Sequence, residues 1–319
     1  MGQKSNPHIL RLGLNQKEWD NKYLEKNKEE SSFYIFKSLQ IEKYVDRFFF
    51  LHGLRIHTCK MRYTNNNIDI HISFYCSKFF LKQMQKLNNK NSYKIFSNDQ
   101  KHLEVKKSFF KVLVPQPKKR IKTIKSFKSF KSQINFKTNH VLNYNRFSEK
   151  LITCLSKYTK NSCNINLILQ NLNKGLSLRL LNQDSQLFRK LILRLRKFSN
   201  NEFFKETINV ILISIKKKNS AKFLSEFLAN EISQLKRHNY YINFLKEVLT
   251  TLVISELSSI NGIKIMIKGR FNGAPRSKKK ILLVGNVPTQ FFSATIDYHE
   301  TISYTQNGTF GIHVWITEK

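Results

Sequence analysis

The 319-residue chain carries 56 Lys and Arg against 21 Asp and Glu, a formal charge of +35, and 40% of its residues are hydrophobic. A free protein so charged repels itself, so the composition calls for a polyanionic partner, and nucleic acid is the first candidate. An acidic membrane surface is the rival, but no run of about eighteen apolar residues occurs, and the cluster Phe48 to Leu51 is far too short to span a bilayer.

The apolar content is enough for real cores, and the length favours two domains. The 26 Phe, with abundant Lys, Asn and Ile and only 10 Gly and 5 Pro, are what an AT-rich gene encodes, which points to an organelle genome. Cys59, Cys76, Cys154 and Cys163 show neither a C-x-x-C pair nor His at zinc-finger spacing, so reduced, half-buried thiols are expected and no metal. No secretory signal or Arg-rich presequence precedes the first motif, so a protein acting in an organelle would be made there. The opening Met1-Gly2-Gln3-Lys4-Ser5-Asn6 departs from a myristoylation signal at Asn6, where Ser or Thr is required.

In chain order, residues 1–32 read as a basic N-terminal tail. A helix is predicted over Phe33 to Leu51, with Ile41, Tyr44, Val45, Phe48 and Leu51 as its apolar stripe and Gly53 at its C-terminal cap. A hairpin follows. Leu54 to Tyr63 pairs with the alternating Ile68, Ile70, Ile72 and Phe74 across a turn at Asn65 to Asn67, with Tyr63 opposite Ile68. That register sets Met61 and Cys59 against Ile70 and Ile72, and puts Lys60 and Arg62 on the wet face with His71 and Asp69. His57 and His71 read as ordinary sheet positions.

Residues 77–160 read as a basic low-complexity insertion. There is no carboxylate between Glu104 and Glu149, and Lys118, Lys119, Arg120, Lys122, Lys125, Lys128 and Lys131 include a Lys-Ser-Phe repeat. Its Phe127 and Phe130 could stack on bases or simply reflect codon drift in a tether. Residues 161–175 hold a strand, CNINLILQNL, and 176–219 read as a second insertion, helical over Leu187 to Phe198.

From 220 to 319 two helices and a sheet are expected. Phe223, Leu224, Phe227, Leu228, Ile232 and Leu235 form one stripe, and Phe244, Leu245, Val248, Leu249, Leu252 and Val253 form another. Ile263, Ile265 and Ile267 alternate with Lys264, Met266 and Lys268 in a first strand. A dense basic loop follows, with Gly269 and Gly273 bracketing Arg270, then Arg276, Lys278, Lys279 and Lys280, and no carboxylate before Asp297. Ile281 to Val284 makes a second strand and Phe292, Ala294, Ile296 and Tyr298 a third. Phe310, Ile312, Val314 and Ile316 make a fourth after the Asn307-Gly308 turn. The sheet is mainly antiparallel and the fold class is α+β.

The gapped pattern Ser277-Lys278, Gly285, Val287, Gln290, Phe292, Ile296-Asp297, Thr305, Gly308 and Gly311 resembles the signature of the third protein of the small ribosomal subunit, bacterial type. Gly269-Arg270-Phe271-Asn272-Gly273, Asn286-Val287-Pro288 and Val314-Trp315-Ile316 resemble the same family, as does the opening MGQKSNPHILRLG. The resemblance implies a prokaryotic-type KH-like first domain (33–76 plus the strand at 161–175) interrupted by the long insertion, and a C-terminal ribosomal domain at 220–319. It implies a structural constituent of a small ribosomal subunit, which the AT-rich composition makes organellar, in the mitochondrial matrix with the plastid as the alternative. The partners would be small-subunit rRNA, mRNA near the entry channel in the head, and neighbouring ribosomal proteins, with no membrane and no cofactor.

Lys4, Arg11, Lys236, Arg237, Lys246, Lys268, Arg270, Arg276, Lys278, Lys279 and Lys280 are the expected RNA contacts. Two family features are absent. No Gly-x-x-Gly clamp follows Cys76, where Ser77-Lys78-Phe79-Phe80 stands. The two arginines that follow an aromatic in bacterial relatives are replaced after Tyr241 by Ile242 and Asn243, with only Lys246 matching. No catalytic motif is found. The rival readings are a free RNA-binding or ribosome-assembly factor and, last, a nucleic-acid-cleaving enzyme with Asp297 as its candidate acid.

Overall fold

The computed structural model describes residues 5–11, 13–14, 20–64, 67–77, 139–160, 163–172, 193–253 and 258–318. The expected contact Lys4, most of the basic insertion with its Lys-Ser-Phe repeat, and the 187–192 part of the expected second helix lie outside those residues.

The first unit is a four-stranded sheet, β1 (Asn21–Lys22), β2 (Leu54–Tyr63), β3 (Asn67–Cys76) and β4 (Asn164–Asn171), in that spatial order. β2 and β3 are antiparallel with Tyr63 opposite Ile68, Met61 opposite Ile70 and Cys59 opposite Ile72, the register expected from alternation. β4 lies parallel to β3. α1 (Pro7–Leu10) precedes the sheet, and α2 (Glu30–Leu51) and α3 (Asn139–Tyr158) cover one face of it. Gly53 ends α2 at φ 70°, donating its N–H to Phe50 O at 2.9 Å.

The buried face of α2 is Ile41, Val45 and Phe49, four residues apart, whereas Tyr44 and Leu51 of the expected stripe are exposed. α2 is apolar nearly all round, so periodicity alone could not pick the face. α3 falls at the end of the stretch expected to be insertion. Its Leu151 and Leu155 are fully buried, and Phe147 meets Phe48 and Phe49 at 5.0 and 5.3 Å between ring centroids. Among the cysteines, Cys59 and Cys163 are half-buried as expected, but Cys76 is buried and Cys154 exposed.

The second unit has three helices, α4 (Phe203–Lys216), α5 (Ala221–Gln234) and α6 (His238–Val253). They are followed by β5 (Ile260–Gly269), β6 (Lys278–Gly285), β7 (Ile296–Thr305) and β8 (Gly308–Glu318) in the order β6-β5-β8-β7, every pair antiparallel. Both predicted helical stripes are buried, Leu235 only in part, against Ile263, Ile265, Ile267, Leu282, Val284, Phe310, Ile312, Val314 and Ile316. The two helices expected from 220 are α5 and α6, and α4 lies in the stretch read as a second insertion, beyond the helix expected at Leu187 to Phe198. Nine of its residues are buried, while Lys205 is exposed and Glu206, Asn209 and Lys216 are half-buried on the opposite side.

The third strand is also displaced. It begins at Ile296, and Phe292 is 56% exposed. In β7 the polar residues face α5. Thr301 Oγ1 donates to Ser225 O (3.1 Å), Ser303 Oγ donates to Ala229 O (2.6 Å), and His299 Nδ1 lies 2.9 Å from Ser225 Oγ. Ile302 and Tyr304 face outward and are exposed.

The two units touch at the start of α5. Phe223 packs edge-on to Tyr75 and His57, the Arg55 guanidinium sits over the Phe227 ring at 5.0 Å, and Lys222 reaches Glu42 and Asp46 of α2.

Candidate nucleic-acid interface

The basic residues of the second unit gather where the α5–α6 turn meets the end of the β5–β6 hairpin. Lys236 and Arg237 are exposed in that turn, and α6 starts at His238, which is buried. The His238 N–H donates to Asn272 Oδ1 at 3.0 Å, and the Asn272 N–H reaches back to His238 Nδ1 at 3.4 Å. Asn272 takes φ 54°, a left-handed conformation that asparagine tolerates better than most residues. Burial lowers the pKa of His238, so its ring stays neutral and can accept. Phe271 and Phe310 flank that ring. This latch holds the Lys236-Arg237 turn beside the short 3₁₀ turn Phe271–Gly273 and the exposed Arg270. No periodic pattern marked His238 or Asn272 in the sequence. The only signal was asparagine between Phe271 and Gly273.

Lys278, Lys279 and Lys280 were expected in a loop but open strand β6. Pairing fixes their directions. Lys279 stands opposite Lys268, with both exposed, while Lys278 stands opposite Gly269 at the sheet's end. Like charges directly opposite are destabilising in a sheet unless a counter-anion lies over them. Lys280 is different. Its ammonium lies 4.8 Å from the Phe271 ring centroid and donates to Asn239 Oδ1, so it is a strut between β6 and α6 as well as a charge.

Arg270 donates from Nε to Ala274 O at 2.9 Å, which braces the turn and leaves the rest of the guanidinium outside. Arg276 is exposed in the same segment. Lys246 is exposed on α6, seven residues past Asn239, hence on the same stripe and about 10 Å farther along the axis. No carboxylate occurs in the sequence from Ile232 to Lys246 or from Gly262 to Ile296, so the stretches that form this rim bring no acid of their own.

Arg11 is not part of it. The side chain is 1% exposed, and its guanidinium donates to the carbonyl oxygens of Pro7 (2.9 Å), Thr289 (2.9 Å) and Phe291 (2.7 Å). It pins α1 to the β6–β7 connection, and a phosphate cannot reach it. The candidate acid Asp297 is committed as well. Its Oδ2 accepts the Ala221 N–H at 2.6 Å and so supplies an anion to the N-terminus of α5. Burial raises its pKa while that bond opposes the rise.

The outer face of the same sheet carries a second feature the sequence did not flag. Tyr298, His313 and Trp315 line up across β7 and β8, and Lys264 lies over the Trp315 ring at 5.1 Å.

This segment also has counterparts among known proteins. The chain spans about half the length of the curated relatives it matches. It is 37% identical over 119 residues to the small ribosomal subunit protein uS3 of Karelsulcia muelleri, covering 36% of this chain and 49% of that protein. It is 28% identical over 127 residues to uS3 of Sulfurimonas denitrificans, covering 38% and 52%. It is 37% identical over 73 residues to uS3c of Cyanidium caldarium, covering 23% and 35%. Residues 232–316, which carry all of the cationic rim, match the family described as Ribosomal protein S3, C-terminal domain.

Proposed function

We propose that this chain is a non-enzymatic structural constituent of a small ribosomal subunit and docks on the subunit's RNA through the rim formed by Lys236, Arg237, Lys246, Lys268, Arg270, Arg276 and Lys278 to Lys280. One observation carries the reading. The segment similar to the ribosomal S3 C-terminal domain is the same segment in which Lys268 faces Lys279, in a stretch of sequence without a carboxylate from Gly262 to Ile296. Such contacts fix position without reading sequence.

The finer parts of the proposal are as follows. The first unit, α2 and α3 on β2-β3-β4, is a KH-like scaffold, split by an insertion whose described end is α3. The site is in the head near the mRNA entry channel, beside other small-subunit proteins. The ribosome is organellar, with the AT-rich composition and the uS3c relative in support. The mitochondrion is the expected compartment and the plastid the alternative.

Replacing Arg276, Lys278, Lys279 and Lys280 together by alanine tests the rim. Exposed charges add little to folding, whereas loss of about four phosphate contacts should weaken RNA affinity and flatten its salt dependence. The variant is expected to lose only the Lys280 strut from its stability, about 1 kcal/mol, and to leave the small-subunit peak for light fractions in a sucrose gradient at moderately high salt. Full co-sedimentation with subunit RNA would refute the rim, and a wild-type chain found only in light fractions would refute the ribosomal reading altogether.

A further inference from the structure

A second cationic site lies where the first unit meets the segment after α4, on the sheet face that α2 and α3 leave open. There the outer sides of β2 and β3 and the segment after α4 enclose a cleft of about 230 Å³, lined by Lys60, Lys217 and Lys218 together with Thr58, Ser73 and Gln170. His57 and His71 complete the strand side, and among the described residues no carboxylate lines it. Lys217 and Lys218 are exposed, and Glu318, which accepts the Asn219 N–H, lies 3.8 Å from the Lys218 ammonium.

Two local features favour an anion here. The pairing of β2 with β3 slips between Ile56 and Thr58, a bulge at His57 that turns successive residues toward one partner. Ser73 Oγ accepts the Thr58 N–H at 3.1 Å, lies 2.6 Å from Thr58 Oγ1 and lies 3.2 Å from His57 Nδ1. The result is a fixed cluster of hydroxyl groups on the floor of the cleft.

On the other wall, the negative end of α4 would ordinarily repel an anion. Here the last-turn carbonyls are occupied, since Ser220 Oγ donates to Ser214 O at 2.8 Å and Ser259 Oγ donates to Ile215 O. What the helix end presents to the cleft is the ammonium groups of Lys217 and Lys218. Burial, and then Lys217, hold the pKa of His57 down to about 4, so the ring adds no charge of its own.

A cleft of 230 Å³ is smaller than the 300 Å³ or so at which pockets for whole small molecules begin. It suits a phosphate group better than a nucleotide. We propose that this cleft holds a backbone phosphate of an RNA strand, giving the first unit a contact that needs no Gly-x-x-Gly loop. The sequence has no glycine between Gly53 and Gly175. This inference rests on the RNA-binding reading above and extends it to a second surface.

The test is lysine acylation of the full-length chain, read by mass spectrometry with and without a short single-stranded oligouridylate. Inorganic phosphate and oligoglutamate serve as the other anions. RNA is expected to protect Lys217 and Lys218 several-fold, and to do so equally in the Arg276/Lys278/Lys279/Lys280 alanine variant. The double variant Lys217→Ala/Lys218→Ala should lower the slope of log affinity against log salt by about 0.7, the share of one single-strand phosphate, with an unchanged thermal midpoint. Rim lysines protected while Lys217 and Lys218 react as in free protein would overturn the cleft alone. No protection at either place would overturn the RNA-binding reading with it. Protection of Lys217 and Lys218 by inorganic phosphate or oligoglutamate, and not by RNA, would also overturn the proposal.

Discussion

Lys222→Met should loosen the joint between the two units in a pH-dependent way. The Lys222 ammonium lies 3.0 Å from Glu42 Oε1 and 3.6 Å from Asp46 Oδ2, and the side chain is 30% exposed. At an effective dielectric of about 20 each contact is worth about 5 kcal/mol in Coulomb energy, most of it cancelled by lost hydration. A half-buried pair falls between about 0–1 kcal/mol for exposed bridges and 3–5 for breaking a buried one, so the loss should be about 2 kcal/mol. For a chain of this size that is a fall of about 3 °C in thermal midpoint.

The sign with pH follows from the neighbours. Burial would lower the pKa of Lys222, but Asp46 and Glu42 outweigh it and raise it, so its stabilisation is fully present below its ordinary 10.5 and is lost only at still higher pH. Burial pushes Glu226 up from 4.5 to about 7, with Lys222 the chief force opposing the rise. The folded state therefore holds a proton that the unfolded chain releases, and stability falls as pH climbs through that window. Without Lys222, Asp46 and Glu226, both already pushed up by burial, lose a neighbouring cation and take up protons more readily, while above the window they repel each other and Glu42 with only Arg55 acting on Glu226. Circular-dichroism melts should show the full loss at about pH 8 and a much smaller one at about pH 5. An equal loss at both, or none at the higher pH, would refute the account.

Arg11→Met should cost about 2–3 kcal/mol, through three lost bonds from a charged donor to carbonyl oxygens, and leave the salt dependence of RNA binding untouched. Urea unfolding and a salt titration separate those effects, and a reduced salt slope would return Arg11 to the RNA contacts. Gly269→Ala should destabilise by about 2 kcal/mol, because the new Cβ would lie 2.3 Å from the Phe310 ring, which Phe271 and His238 hold in place. An unchanged urea midpoint would mean that the ring yields.

What the sequence made legible follows from where one face of an element is wet. The β2–β3 register was readable because Ile68, Ile70 and Ile72 alternate cleanly with polar residues, and a slip of one would expose all three. The stripes of α5 and α6 were readable for the same reason. α4 and α2 were not, the first because it lies in a stretch read as insertion and the second because its apolar residues are spread round the helix. β7 inverts the rule, because Thr301 and Ser303 satisfy themselves on α5 carbonyls while Ile302 and Tyr304 stand outside. Of the expected contacts, the residues of the proposed rim stand out in the sequence as charge density without carboxylates. Arg11 was misread because a sequence cannot distinguish a guanidinium aimed at solvent from one aimed at three carbonyls, and the cleft lysines were missed because Lys60 and Lys217 are far apart in the chain.

The missing arginine pair after Tyr241 has a packing aspect that bears on the proposed role. Ile242 is 4% exposed and belongs to the core beneath α6, whereas Asn243 is exposed on the stripe that carries Asn239 and Lys246. An arginine at 242 would have to bury its charge among apolar neighbours or turn the helix, at a cost of several kcal/mol. Only the second position could regain a cation without disturbing α6. The cationic surface at the start of α6 is thus narrowed by the fit of the helix to its sheet as well as by the identity of two residues. The Lys236-Arg237 turn, held by His238 and Asn272 outside the constraints of the helix, supplies the charge there instead.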